Sequence, residues 1–103
     1  MRIVHNDMEG FLIDLEDQVD EGPVVRWMIT RLPSEDTDGV DDVYLIASFL
    51  IDGMICEVAI NTGIADKHVH PGIDESKRVL KPLVSLCAAH SLTLRQGRYT
   101  EDA

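Results

Sequence analysis

The chain has 103 residues, 45% of them hydrophobic, and a net charge of −10 from nineteen acidic and nine basic side chains. That length holds one domain, residues 1–103, with one core, and excludes a cofactor-binding domain joined to a second lobe. The negative balance opposes direct binding to nucleic acid or anionic lipid, and Met1-Arg2-Ile3-Val4-His5 leads into Asp7 and Glu9 rather than a long apolar run, so a cytoplasmic protein with no membrane partner is expected.

From Asn6 to Glu21, the residues Met8, Phe11, Leu12, Leu15 and Val19 fall on one stripe. This spacing predicts an amphipathic helix capped by Asn6, with Glu9 as the capping-box partner and Gly22-Pro23 as the stop. Asp17, Asp20 and Glu21 then stand in the last turn, where the macrodipole favours cations. The rival reading is a strand with Phe11, Ile13 and Leu15 inward, favoured by Gly10 as a poor mid-helix residue. Val24 to Thr30 is rich in β-branched and aromatic residues and predicts a strand ending by Pro33. Ser34 to Asp42 is an acidic loop by composition.

Asp42 to Asn61 is the strongest local signal, two apolar runs turned back on each other at Asp52-Gly53. With that turn Ile51 faces Met54, Phe49 faces Cys56, Ala47 faces Val58 and Leu45 faces Ile60, giving one apolar face. The other face carries Tyr44, Ile46, Ser48 and Leu50 against Ile55, Glu57, Ala59 and Asn61, a mixed surface. Thr62 to Ile73 reads as a connector. From Asp74, a candidate cap, helical spacing returns at Val79, Leu80, Leu83, Leu86, Cys87 and His90, and Pro82 either kinks this helix or begins it. Leu92 to Arg95 predicts a last short strand and Tyr99 to Ala103 a polar tail. The order α-β-β-β-α-β implies an α+β fold, an antiparallel β-meander of three to four strands with two helices packed on its apolar face.

Candidate chemistry is sparse. His68-x-His70 is a spacing that can present two imidazoles to a metal, although a third ligand is not specified, and no cofactor is expected. Cys87 and His90 stand at i, i+3, the minimum for an activated thiolate, but core packing of two reduced cysteines explains Cys56 and Cys87 more simply. No glycine-rich phosphate loop, G-x-S-x-G or paired C-x-x-C motif is present. Ser76-Lys77-Arg78-x-x-Lys81, opening the last helix after three strands, resembles the lysine-bearing helix of double-stranded RNA-binding domains. Pro82 departs from that pattern, and Ser34-Glu35-Asp36-Thr37-Asp38 stands where a groove-entering loop needs cations. The resemblance therefore implies a topology and not RNA binding.

Charge is unevenly spread along the chain. Residues 1–42 hold twelve acids against Arg2, Arg26 and Arg31, net −9, whereas residues 67–98 hold six bases against Asp74 and Glu75, net +4. The reading that follows is a small non-enzymatic protein that docks on, and inhibits or regulates, a basic nucleic-acid-binding protein, in the manner of phage anti-defence or immunity-type inhibitors. Its acidic surface comprises Asp14, Glu16, Asp17, Asp20, Glu21, Glu35, Asp36, Asp38, Asp41 and Asp42. One alternative is an assembly protein that homo-oligomerises through Ile46, Leu50 and Ile55 on the outer sheet face. The other is a small metal- or thiol-dependent enzyme built around His68, His70 and Cys87.

Overall fold

Asp52 and Gly53 both have positive φ, 49° and 80°, the pair of left-handed residues that a two-residue type I′ turn requires. The computed structural model, which describes residues 2–35, 39–66 and 77–101, pairs Ile51 with Met54, Phe49 with Cys56, Ala47 with Val58 and Leu45 with Ile60, as the turn predicts. The hairpin strands are longer than their apolar runs. The first spans Asp41–Ile51 and the second Met54–Asp66. An irregularity between Asp42 and Tyr44 lets pairing resume at Asp42–Ala65. Beside it the Thr62 hydroxyl donates to the Val43 carbonyl at 2.8 Å.

Among the described residues the elements run in the order β1 (Arg2–His5), α1 (Met8–Asp17), a 3₁₀ turn (Val19–Glu21), β2 (Val25–Pro33), β3 (Asp41–Ile51), β4 (Met54–Asp66), a 3₁₀ turn (Lys77–Leu80), α2 (Lys81–Ala89) and β5 (Leu94–Gln96). The sheet order is β1-β4-β3-β2-β5. β1 runs parallel to β4 and β5 parallel to β2, while the β2-β3-β4 centre is antiparallel. The expected all-antiparallel meander is therefore incorrect, although the α+β class holds. The physical reason is that each edge strand is joined to the centre through a helix. A helix returns the chain to the end where the preceding strand began, so the next strand runs parallel to it. β1 was missed because four residues are too few to show alternation.

Both crossovers, β1-α1-β2 and β4-α2-β5, travel the same way across the sheet. Since such connections are right-handed, both place their helix on the same face. Phe11 and Leu15 of α1 and Leu83 and Cys87 of α2 accordingly share one buried cluster with Val25, Leu45, Ala47, Phe49, Cys56 and Val58 of the inner face. The Phe11 and Phe49 rings meet edge to face at 5.3 Å, tying α1 to the hairpin.

Local details also differ from expectation. The cap of α1 is Asp7, not Asn6, and its Oδ1 accepts the Gly10 N–H at 2.8 Å. The third helical position is thus a glycine, which has no side chain to reach back, and the capping box with Glu9 does not form. Pro82 lies in the first turn of α2, where its missing N–H costs nothing, so it begins the helix rather than kinking it. The Asp74 cap lies outside the described residues. The tail is not free, as Tyr99 is half-buried and its hydroxyl donates to the Val24 carbonyl at 2.8 Å.

A side chain at Gly53 would meet nothing within 4 Å, so its cost is conformational alone. Gly53→Val is expected to lower stability by about 1–2 kcal/mol, read as a lower urea midpoint at unchanged m-value, with Gly53→Asn costing less. An unchanged midpoint in the valine variant would contradict the turn.

Candidate functional site

β1 alternates, so Ile3 and His5 point inward while Arg2 and Val4 point outward, and Ile3 pairs with Cys56 and His5 with Val58 of β4. α1 crosses above them with Gly10 and Asp14 four residues apart on one side. His5 Nε2 lies 2.6 Å from Asp14 Oδ2. A Cβ on Gly10 would stand 2.9 Å from His5 Nδ1, which explains a glycine inside a helix at a propensity cost of about 1 kcal/mol. The ring also meets Phe11 edge to face at 6.4 Å.

The third member is Cys56, fully buried. Its thiol donates weakly to the same Asp14 oxygen at 3.9 Å, and the His5, Asp14 and Cys56 ligand atoms all lie within 4.8 Å of one another. Burial first, and the Asp14 carboxylate second, push the thiol up to about 12, so it is protonated at neutral pH. The sulfur is hydrogen-bonded to the carboxylate, not to the imidazole. That order does not supply a general base to a cysteine nucleophile.

The outer face is organised by a row of paired residues crossing all five strands, Val4, Glu57, Ser48, Arg26 and Arg95. Glu57 is only 4% exposed. Its carboxylate accepts two bonds from Arg98, Nε at 2.9 Å and Nη2 at 2.8 Å, and a longer one from Arg2 at 3.5 Å. The hydrogen bonds to Glu57 hold the Arg98 guanidinium still more firmly protonated than usual. Gly97 N–H donates to the Trp27 carbonyl, Tyr99 N–H to Ser48 Oγ, and the Tyr99 ring lies 4.9 Å from the Arg26 guanidinium. The C-terminal segment is thus strapped across this face.

Ile46 and Ile55, read from sequence as part of an exposed oligomer face, are 6% and 4% exposed, leaving Leu50 at 41%. Of the acidic positions, Asp14 turns to His5, whereas Glu16, Asp17, Asp20, Glu21 and Glu35 are exposed. Asp41 and Asp42 are half-buried at the start of β3. Glu35 and Asp42 border one polar recess of about 330 Å³ with Leu32, Pro33, Tyr44 and Asn61. Asp36, Asp38, His68 and His70 lie outside the described residues. Cys87 is buried and His90 is exposed at the C-terminal end of α2, and burial raises the Cys87 thiol. That environment favours packing over nucleophilic chemistry.

His5 is the residue that sequence reasoning missed. Its signal, Ile3-x-His5 opposite Arg2 and Val4, is a strand alternation too short to recognise without β4 beside it. No protein family matches the chain, and neither a curated protein nor a solved structure does so. Among the described residues no helix is long and apolar enough to cross a membrane.

Removing Arg98 leaves the buried Glu57 carboxylate with only the distant Arg2. Arg98→Ala is expected to cost about 2 kcal/mol in chemical denaturation, below the 3–5 kcal/mol of fully buried pairs because Arg2 remains and water can enter. Adding Glu57→Gln should recover part of it. A neutral Arg98→Ala would mean that the strap contributes nothing to folding.

The raised Cys87 thiol gives a second expectation. The fold prefers the neutral thiol, so this group leaves stability unchanged below its ordinary value of 9.0 and lowers it as pH rises above that. The stability advantage of the parent over Cys87→Ala should therefore narrow between pH 8 and pH 10. A constant gap would contradict a buried, neutral thiol.

Proposed function

We propose that this chain is a small non-enzymatic binding protein that docks through carboxylates on a basic protein and inhibits or regulates it. The observation that carries the reading is at the end of α1. Glu16 and Asp17 in its last turn, and Asp20 and Glu21 in the 3₁₀ turn that follows where the sequence predicted the helix to continue, are all exposed, and none is in an ion pair with a described residue. Glu16 and Asp17 oppose the α1 dipole, a local cost that folding does not require.

A second group of carboxylates, Glu35 and Asp42, flanks a recess with Tyr44 and Asn61 that suits the end of a lysine or arginine side chain. A partner evolved to bind a polyanion would present the complementary surface. The assembly reading is weaker because two of its three residues are covered by this chain. A reducing, cytoplasmic setting belongs to the same proposal and is supported by the free thiols of Cys56 and Cys87.

The test is the quadruple amide variant Glu16→Gln, Asp17→Asn, Asp20→Asn, Glu21→Gln beside the parent in pull-downs from host lysate and in binding kinetics with whatever the parent retains. Association should slow about tenfold or more and lose its salt dependence, while folding stability holds or rises. An unchanged partner set would overturn the acidic-surface reading. Loss of self-association in Leu50→Glu would instead support assembly.

A further inference from the structure

We infer that His5, Asp14 and Cys56 form a binding site for a single divalent transition metal of the zinc class. The three donors come from β1, α1 and β4, and only the tertiary fold unites them. Their chemistry is a nitrogen, an oxygen and a sulfur, the mixed set that suits a borderline-soft dication over calcium or magnesium. Metal–ligand distances of about 2.0–2.3 Å at tetrahedral angles place neighbouring ligand atoms roughly 3.3–3.6 Å apart. The Cys56–Asp14 separation of 3.9 Å is near that spacing already, and the 2.6 Å His5–Asp14 contact has to open by well under the length of a bond. All pairs are within 4.8 Å, so side-chain rotation suffices.

Charge completes the argument. Without a cation the cluster holds a buried thiol facing a carboxylate. Cys56 S–H gives its proton to solvent as the metal–sulfur bond forms, and the resulting thiolate with the Asp14 carboxylate neutralises the two positive charges while His5 binds as the neutral imidazole. The His5 and Asp14 side chains are 21% and 34% exposed, which gives the ion an entry path and leaves its fourth position to water. Gly10 contributes by leaving room for the imidazole to turn.

The experiment uses the full chain, stripped of metal with a chelator and titrated with Co²⁺ and, in competition with a chromophoric chelator, with Zn²⁺. The expected result is one equivalent bound, a near-ultraviolet thiolate-to-cobalt absorption, release of at least one proton per zinc, and a higher melting midpoint. Cys56→Ser should abolish the thiolate band. Asp14→Asn and His5→Gln should each weaken zinc by at least tenfold, and Cys87→Ser should leave binding intact. Asp14 is partly exposed, so its variant keeps the test valid if the core Cys56 variant fails to fold. Absence of a thiolate band, or zinc affinity unchanged in Asp14→Asn, overturns the site. So does loss of binding in a His68→Ala, His70→Ala double variant with the thiolate band absent from the parent, which would locate the metal at the His-x-His pair instead.

Discussion

Positive φ at Asp52 and Gly53 sets the register of β3 against β4, and everything outward from the hairpin inherits it. A slip of one residue would put Ser48 in place of Phe49 if β3 moved, or Glu57 in place of Cys56 if β4 moved, on the core face. β1 adds to β4 and β2 to β3 by backbone bonds whose side-chain placement has meaning only in that register. The inward position of His5 and the outward position of Glu57 are thus both consequences of a two-residue turn.

The two parallel crossovers impose the next constraint. Because both move in the same direction, both helices fall on the inner face, and the outer face has no helix to cover it among the described residues. A nearly buried acidic residue at the centre of that face, Glu57, is a liability in an open sheet. The chain answers it with its own C-terminal segment. Arg98 supplies the planar fork that a buried carboxylate needs, and Tyr99 carries a ring that Arg26 can stack on while its hydroxyl reaches the backbone.

Two local inconsistencies in α1 have different origins. Gly10 weakens the helix, and the approach of His5 accounts for it. Glu16 and Asp17 at the other end weaken it too, and no ion pair with a described residue offsets them. The first is settled by packing, and the second is the motive for seeking a partner outside the chain.

The hairpin, its facing pairs, the apolar stripe of α1, the strand that became β2 and the first-turn role open to Pro82 were legible in sequence. Each depends on interactions between residues close in the chain: turn geometry at Asp52-Gly53, helical spacing of Phe11 and Leu15, and the missing N–H of proline. The strand β1, the parallel pairing of both edge strands, the strap over Glu57 and the meeting of His5 with Asp14 and Cys56 were not legible. They join residues 41 to 55 positions apart for Glu57 with Arg98 and Arg2, and 42 apart for Asp14 with Cys56, and a four-residue strand such as β1 has no period of its own to announce it. Sequence by itself determined which segments could turn, coil or extend. Which carboxylate is buried, which is bound to an imidazole and which is left in solvent was decided only when the sheet brought distant strands into register.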